Sequence, residues 1–325
     1  AGTEVESQLR TEGSEEVLTK IDFERDLGGV AVRTQALRPS EAAPRREAEE
    51  RGGASVAFGA GRAAGGVRLK TIALPVEHGG WGISLEPVLL GLLVAPSPAG
   101  FWLASATMGA FLARHPLKIV AGDRRRGRRF ARTPVARRFV LLYGAVALAG
   151  FVLSVWTAPS YLFLWPLALA APLASAQLFY DAAGRSRSLL PEVAGSTGMA
   201  SVAAAVAIAG GVSLPVALGL WAVLAARIVP TILYVRARLS ELHGKEAARW
   251  PALLAHALAF AVVAALATLK VAPWMAAALM VVLTARAAFG FARRWPATAR
   301  RVGFSEIAFG ALTVLAVAAG VWLGL

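Results

Sequence analysis

The residues with the clearest chemistry lie on one segment, where Arg227, Thr231, Tyr234, Arg238 and Glu241 follow one another at spacings of 4, 3, 4 and 3. On an α-helix that spacing draws a single polar stripe down one face. The flanking sequence is apolar, with Pro230 beside the stripe marking an expected kink. A polar stripe cannot face lipid, so it should face a bundle interior or a wet cavity. Arg227 is the deepest member, and a guanidinium there suits an anion or a buried carboxylate. The partners in view are Glu86, about 12 Å or two turns into an apolar run, and Glu192, at the start of another. Two readings stand side by side for Arg227: an anionic ligand site, or an ion pair that holds helices together.

Other candidates cluster at the ends of apolar runs. Glu77 and His78 open the first run in VEHGGWG, and His115 and Lys118 close the second in ARHPLK, with Asp123 just beyond. Glu192 follows Pro191, so it also reads as an acid at N2 of a helix started by proline. His256 in an alanine-rich run reads as hydrogen-bonded to a neighbouring helix, and Arg286 as a snorkelling residue near a span end. There is no HExxH, CxxC, P-loop or GxSxG pattern, and no cysteine, which excludes disulfides, thiolate metal sites and cysteine nucleophiles.

The elements that carry these residues are membrane helices. The chain is 57% hydrophobic, above the roughly 45–50% of soluble domains. A span needs about 20 mostly apolar residues. About nine such segments are expected: 79–95, 98–113, 139–157, 161–180, 191–211, 214–235, 250–269, 273–292 and 303–325. Ala95-Pro-Ser-Pro98 separates the two short first ones. The fold class is therefore all-α, a polytopic membrane helix bundle. Alternate connections are basic: 114–138 holds ten bases against Asp123 alone, whereas 96–97, 158–160, 212–213 and 270–272 contain only Lys270. Bases gathered in short loops indicate a membrane and not nucleic acid. The positive-inside rule puts the N-terminus in the cytoplasm and Leu325 outside. Residues 1–70 carry 12 of the 20 acids and should form a disordered cytoplasmic arm, with a short helix near Ser14–Arg25, or else a non-native extension. Residues 71–325 form the membrane domain.

The runs LPVEHGGWGISLEPVLLGLL, FLARHPLKI, LFYDAAGRSRSLLPEVAG and RIVPTILYVRARL resemble the YwiC-like family of bacterial membrane proteins. The nine-helix layout also resembles the UbiA superfamily of intramembrane prenyltransferases. That second resemblance implies a central cavity, a prenyl diphosphate, and Asp-rich loops after the second and sixth helices that hold Mg²⁺. It also makes the segment around Asp181, from Tyr180 to Gly195, the counterpart of the loop between the fourth and fifth helices. The chain departs from that pattern: RHPLKIVAGDRRRGRR offers only Asp123, and YVRARLSELHGKE has Arg236 and Arg238 where acids would stand. Asp123 with Glu241 is the minimal carboxylate set for Mg²⁺. Alternatively the guanidinium groups meet a diphosphate directly.

The expected ligand-binding set is therefore Glu77, His78, Glu86, His115, Lys118, Asp123, Asp181, Glu192, Arg227, Tyr234, Arg236 and Arg238. Its ligand would be a polyprenyl diphosphate or related anionic lipid. The chain would be prenyltransferase-like if an enzyme, though no catalytic residue is identifiable. The alternative is a non-catalytic transporter or an assembly factor for a respiratory or redox complex. Membrane lipids are expected partners in either case, with the basic loops on anionic head groups.

Overall fold

In the computed structural model the described residues are 69–75, 78–127, 130–185, 187–293 and 298–325. The chain divides into two units, Ala1–Ala63 and Ala64–Leu325, and the described residues all belong to the second. The expectations for the N-terminal arm, its short helix and Glu77 fall outside the described residues, and so does the side chain of His78.

Among the described residues ten α-helices follow one another: α1 Leu69–Ala73, α2 His78–Val94, α3 Pro98–Arg125, α4 Arg132–Thr157, α5 Leu164–Ala182, α6 Leu189–Ala209, α7 Leu214–Leu242, α8 Trp250–Thr268, α9 Trp274–Ala292 and α10 Ala299–Leu323. A 3₁₀ turn, Tyr161–Phe163, leads into α5. Every expected span is a helix, and no strand occurs among the described residues. Seven of these segments are long and apolar enough to cross a bilayer: α4, the 3₁₀ turn with α5, and α6 to α10. Helix α2 is apolar but shorter, and α3 is long but becomes polar in its second half.

The helix ends carry their own signals. Ser97 caps α3 by accepting a hydrogen bond from the Gly100 N–H at 3.0 Å, and Pro98 occupies the first turn. Thr298 caps α10 in the same way, accepting from the Arg301 N–H. At its far end Gly324 adopts φ 67°, the left-handed turn that glycine supplies without strain.

One expectation needs correcting. The basic stretches 114–138 and 236–249 are largely helix and not loop. Helix α3 runs through Pro116 to Arg125, α4 starts at Arg132, and α7 continues to Leu242. The physical reason is that leaving hydrocarbon ends an apolar run, not a helix. Alanine, leucine, arginine and lysine all favour helix in water too.

Small residues set the packing. Helix α6 is the centre of the bundle, with Ala203, Ala204, Ala205, Val206 and Ala207 fully buried against α2, α3, α5 and α7. Helices α3 and α4 form a close pair. A Cβ on Gly109 would meet the Ala147 nitrogen at 2.7 Å, and one on Gly150 the Trp102 carbonyl oxygen at 2.7 Å. Outward faces are greasy, as at Leu141, Leu148, Trp156 and Trp165, each at least 60% exposed in the protein alone. Such a surface suits lipid contact.

Cross-helix hydrogen bonds fix which ends meet. The Trp274 N–H donates to the Leu325 carbonyl at 2.9 Å, and the Trp322 indole to the Leu93 carbonyl at 2.7 Å. The start of α9 and the ends of α10 and α2 therefore share one end of the bundle. At the other end Arg249, before α8, donates to the Phe291 carbonyl on α9 at 3.0 Å. That second end carries the basic residues.

Candidate functional site

Four ionisable side chains from four helices meet inside the bundle. Arg227 on α7 pairs with Glu86 on α2 at 2.5 Å and also donates to the Glu306 carbonyl on α10 at 3.2 Å. The Glu306 carboxylate in turn pairs with Arg286 on α9. Arg286 lies over the Tyr234 ring at 4.1 Å and the Phe309 ring at 5.0 Å from the centroids, in cation–π geometry. The order across the site is Glu86, Arg227, Glu306, Arg286, Tyr234, with the charges of the first four alternating.

All members of this cluster are buried or nearly so. Arg227 is 4% exposed, Glu86 8%, and His256 on α8 only 2%. Arg286 and Glu306 keep 12% and 16% of their side-chain surface. Two glycines make the room. A Cβ on Gly310 would collide with the Glu86 carboxylate, and one on Gly290 with the Tyr234 hydroxyl. Counting along α2, α9 and α10, the cluster lies about 9–12 Å in from the basic end, at 1.5 Å per residue.

The site is incompletely satisfied. Arg227 Nε and Arg286 Nη1 are buried donors with no hydrogen-bond acceptor among the described residues. His256 Nδ1 lies 2.7 Å from the Ala252 carbonyl one turn back, and its Nε2 is buried with no partner among them. A carbonyl can only accept, so Nδ1 carries the proton in that bond. Most buried polar groups in folded proteins are satisfied, so several exceptions in one cluster require an explanation.

The other described candidates lie at the basic end. Asp181 on α5 receives Arg114 Nη2 at 2.7 Å and Lys118 at 3.1 Å, both from α3. Glu192 on α6 pairs with Arg236 on α7 at 2.8 Å, and Arg236 also donates to the Arg187 carbonyl. Glu241 is shared by Arg238 at 2.7 Å and Arg249 at 2.6 Å. Asp123 is 1% exposed and binds Arg132 at 2.7 Å and the Thr133 hydroxyl at 2.7 Å. The Arg132 hydrogen bond, with Thr133 adding to it against the cost of burial, holds the Asp123 carboxyl below the usual carboxylate range. His115 Nε2 lies 3.0 Å from the Thr71 carbonyl, which ties α3 to α1.

The polar stripe on α7 therefore splits. Arg227 and Tyr234 belong to the deep cluster, whereas Arg238 and Glu241 belong to the basic end. Of Arg227's two partners in view, the structure selects Glu86. Glu192 is instead held at a half-exposed position. Arg286 is not a snorkelling residue, because its guanidinium points inward onto Tyr234 and Glu306. Spacing along the chain does not single out Glu306. Its signal lies in the charge count, since it is an acid inside the last apolar run.

The carboxylates do not fit Mg²⁺. Asp123 and Glu241 are each engaged by guanidinium groups, and no group of three His, Asp or Glu able to hold a metal occurs among the described residues. Mg²⁺ held by one or two protein carboxylates needs them free to face the ion and its phosphates. Diphosphate chemistry that depends on carboxylate-held Mg²⁺ therefore has no residue set to carry it among the described residues.

Comparison with known proteins places part of the chain. Residues 74–209 match the family model described as YwiC-like protein. No curated protein and no solved structure matches the chain. The matched stretch runs from before α2 to the end of α6 and contributes Glu86, while Arg227, Arg286 and Glu306 lie beyond it. The resemblance read from the sequence thus holds over residues 74–209: the chain is YwiC-like there, within an all-α multi-pass membrane bundle.

Proposed function

We propose that the chain binds an anionic, phosphate-bearing amphiphile inside the bundle, reached from the basic end, with Arg227 and Arg286 as the recognition groups. The single observation behind this reading is that both buried guanidinium groups keep N–H donors with no acceptor among the described residues. Guanidinium forks match phosphate oxygens, and such bonds strengthen where water is excluded. A polyprenyl diphosphate, with its charged head and long apolar tail, fits a polar centre inside lipid-facing helices. The reading stops at binding or transport. Prenyl transfer would also need a proton acceptor placed against a second substrate, and no group among the described residues is assigned that role.

Purified protein in detergent should bind labelled farnesyl or geranylgeranyl diphosphate saturably, with or without Mg²⁺. Arg227→Leu should abolish binding while the protein still inserts. Absence of binding under every condition would remove the proposal.

A structural reading has one observation in its favour, namely that each charge in the centre already has a partner of opposite sign. It predicts that Arg227→Leu fails to fold and that no diphosphate binds the native chain.

A further inference from the structure

We infer that the anion enters this centre together with a proton, and that Glu306 is the group that takes it. The inference deepens the anion-binding reading above and rests on it.

Charge balance comes first. Arg227 and Arg286 face Glu86 and Glu306, so the centre is neutral when all four are ionised. An anion added alone would leave uncompensated negative charge among buried helices, which is strongly unfavourable. One proton taken up with the ligand offsets one unit of that charge, so a diphosphate enters with a smaller net charge than it would alone.

Geometry selects the acid. Glu86 is the more buried of the two and lies 2.5 Å from Arg227, the most buried base, with its second oxygen packed on the Gly310 backbone. Glu306 is held differently. Beyond its pair with Arg286, neither of its oxygens has a hydrogen-bond partner among the described residues. It is also the more exposed acid of the two, and it is only seven residues from the start of α10 at the basic end. Protonation would turn the Glu306 carboxylate into a neutral acid, break its pair with Arg286, and release that guanidinium fork to the incoming phosphate. No helix need shift, because Arg227 holds the Glu306 main-chain carbonyl and not its side chain. The other titratable and charged groups around Glu306 are Arg227 and Glu86 across α7 and α2, Tyr234 beyond Arg286, and His256 on the α8 side.

The test is calorimetric titration of farnesyl diphosphate into the full-length protein in detergent at about pH 8, where the second phosphate pKa of about 6 leaves the ligand ionised. Repeating it in buffers of different ionisation enthalpy counts the protons taken up on binding. The expected result is about one proton absorbed per ligand, falling to none in Glu306→Gln with binding retained. Should Glu306→Gln not fold or not bind, infrared difference spectra of the native protein replace it: ligand addition must raise a protonated-carboxyl band, and its absence would overturn the inference. Binding by the native protein with no proton uptake would overturn the inference and leave the anion site standing. Proton uptake that persists in Glu306→Gln would overturn the assignment to Glu306. Absence of binding by the native protein would overturn the anion site itself.

Discussion

The deep centre and the basic end use the same residue types to opposite effect. At the basic end Asp123, Asp181, Glu192 and Glu241 each pair with a base that keeps about a third or more of its side-chain surface, as with Glu192 and Arg236 at 39% and 43% side-chain exposure. Such pairs lose little water and gain little, about 0–1 kcal/mol. In the centre, Glu86, Arg227, Glu306 and Arg286 come from four separate helices and are almost dry. Removing one partner there leaves a bare charge in a low-dielectric interior. The difference teaches that the basic end orients and stitches the bundle, while the centre is where charge is kept at a cost that function must justify.

That contrast can be broken at several points. The largest effect should follow Arg227→Leu, which strands Glu86. The expected loss is about 3–5 kcal/mol, read as reduced thermal stability in detergent, against little loss in the paired Glu86→Met/Arg227→Met protein. Gly310→Ala comes next. Its methyl group would meet the Glu86 carboxylate, so the pair must shift, at a cost of about 1–3 kcal/mol with weakened ligand binding. Thermal unfolding would give the first value and a binding titration the second. If Gly310→Ala had no effect on either, the close packing drawn at the centre would be wrong.

Asp123 sharpens the comparison through pH. Its folded pKa is depressed, so its contribution is complete at neutral pH, above the ordinary aspartate value of about 3.9, and is lost as acidification protonates it below that value. The melting temperature of the native protein should therefore fall more steeply on acidification than that of Asp123→Asn, which lacks the group. Equal slopes would contradict the link between α3 and α4 through Arg132 and Thr133. The smallest effect belongs to Glu192→Gln at the half-exposed Arg236 pair, at most about 1 kcal/mol and reduced further by added salt.

How much of this is legible in the chain follows from what a sequence encodes locally. The apolar runs and the alternation of basic connections mark the helices, because burial in hydrocarbon acts on each segment by itself. Helix ends beyond the membrane are not legible. Arg114, Lys118 and Asp123 continue α3 because a drop in hydropathy is no helix stop. The inward turn of Arg227 is readable from its stripe, whereas its choice of Glu86 over Glu192 depends on how α2 packs beside α7 and α10. The pairing of Glu306 with Arg286 is hidden for the same reason. Each alone resembles a residue near a span end, and only the packing of α9 on α10 turns them toward each other.

The most direct test of the central claim uses the charge-neutral Glu86→Met/Arg227→Met protein. Removing both partners of a buried pair together spares the fold the cost of a stranded charge. The account predicts a folded membrane protein with near-native thermal stability that no longer binds farnesyl diphosphate. A folded double variant that binds the diphosphate as tightly as the native chain would contradict it.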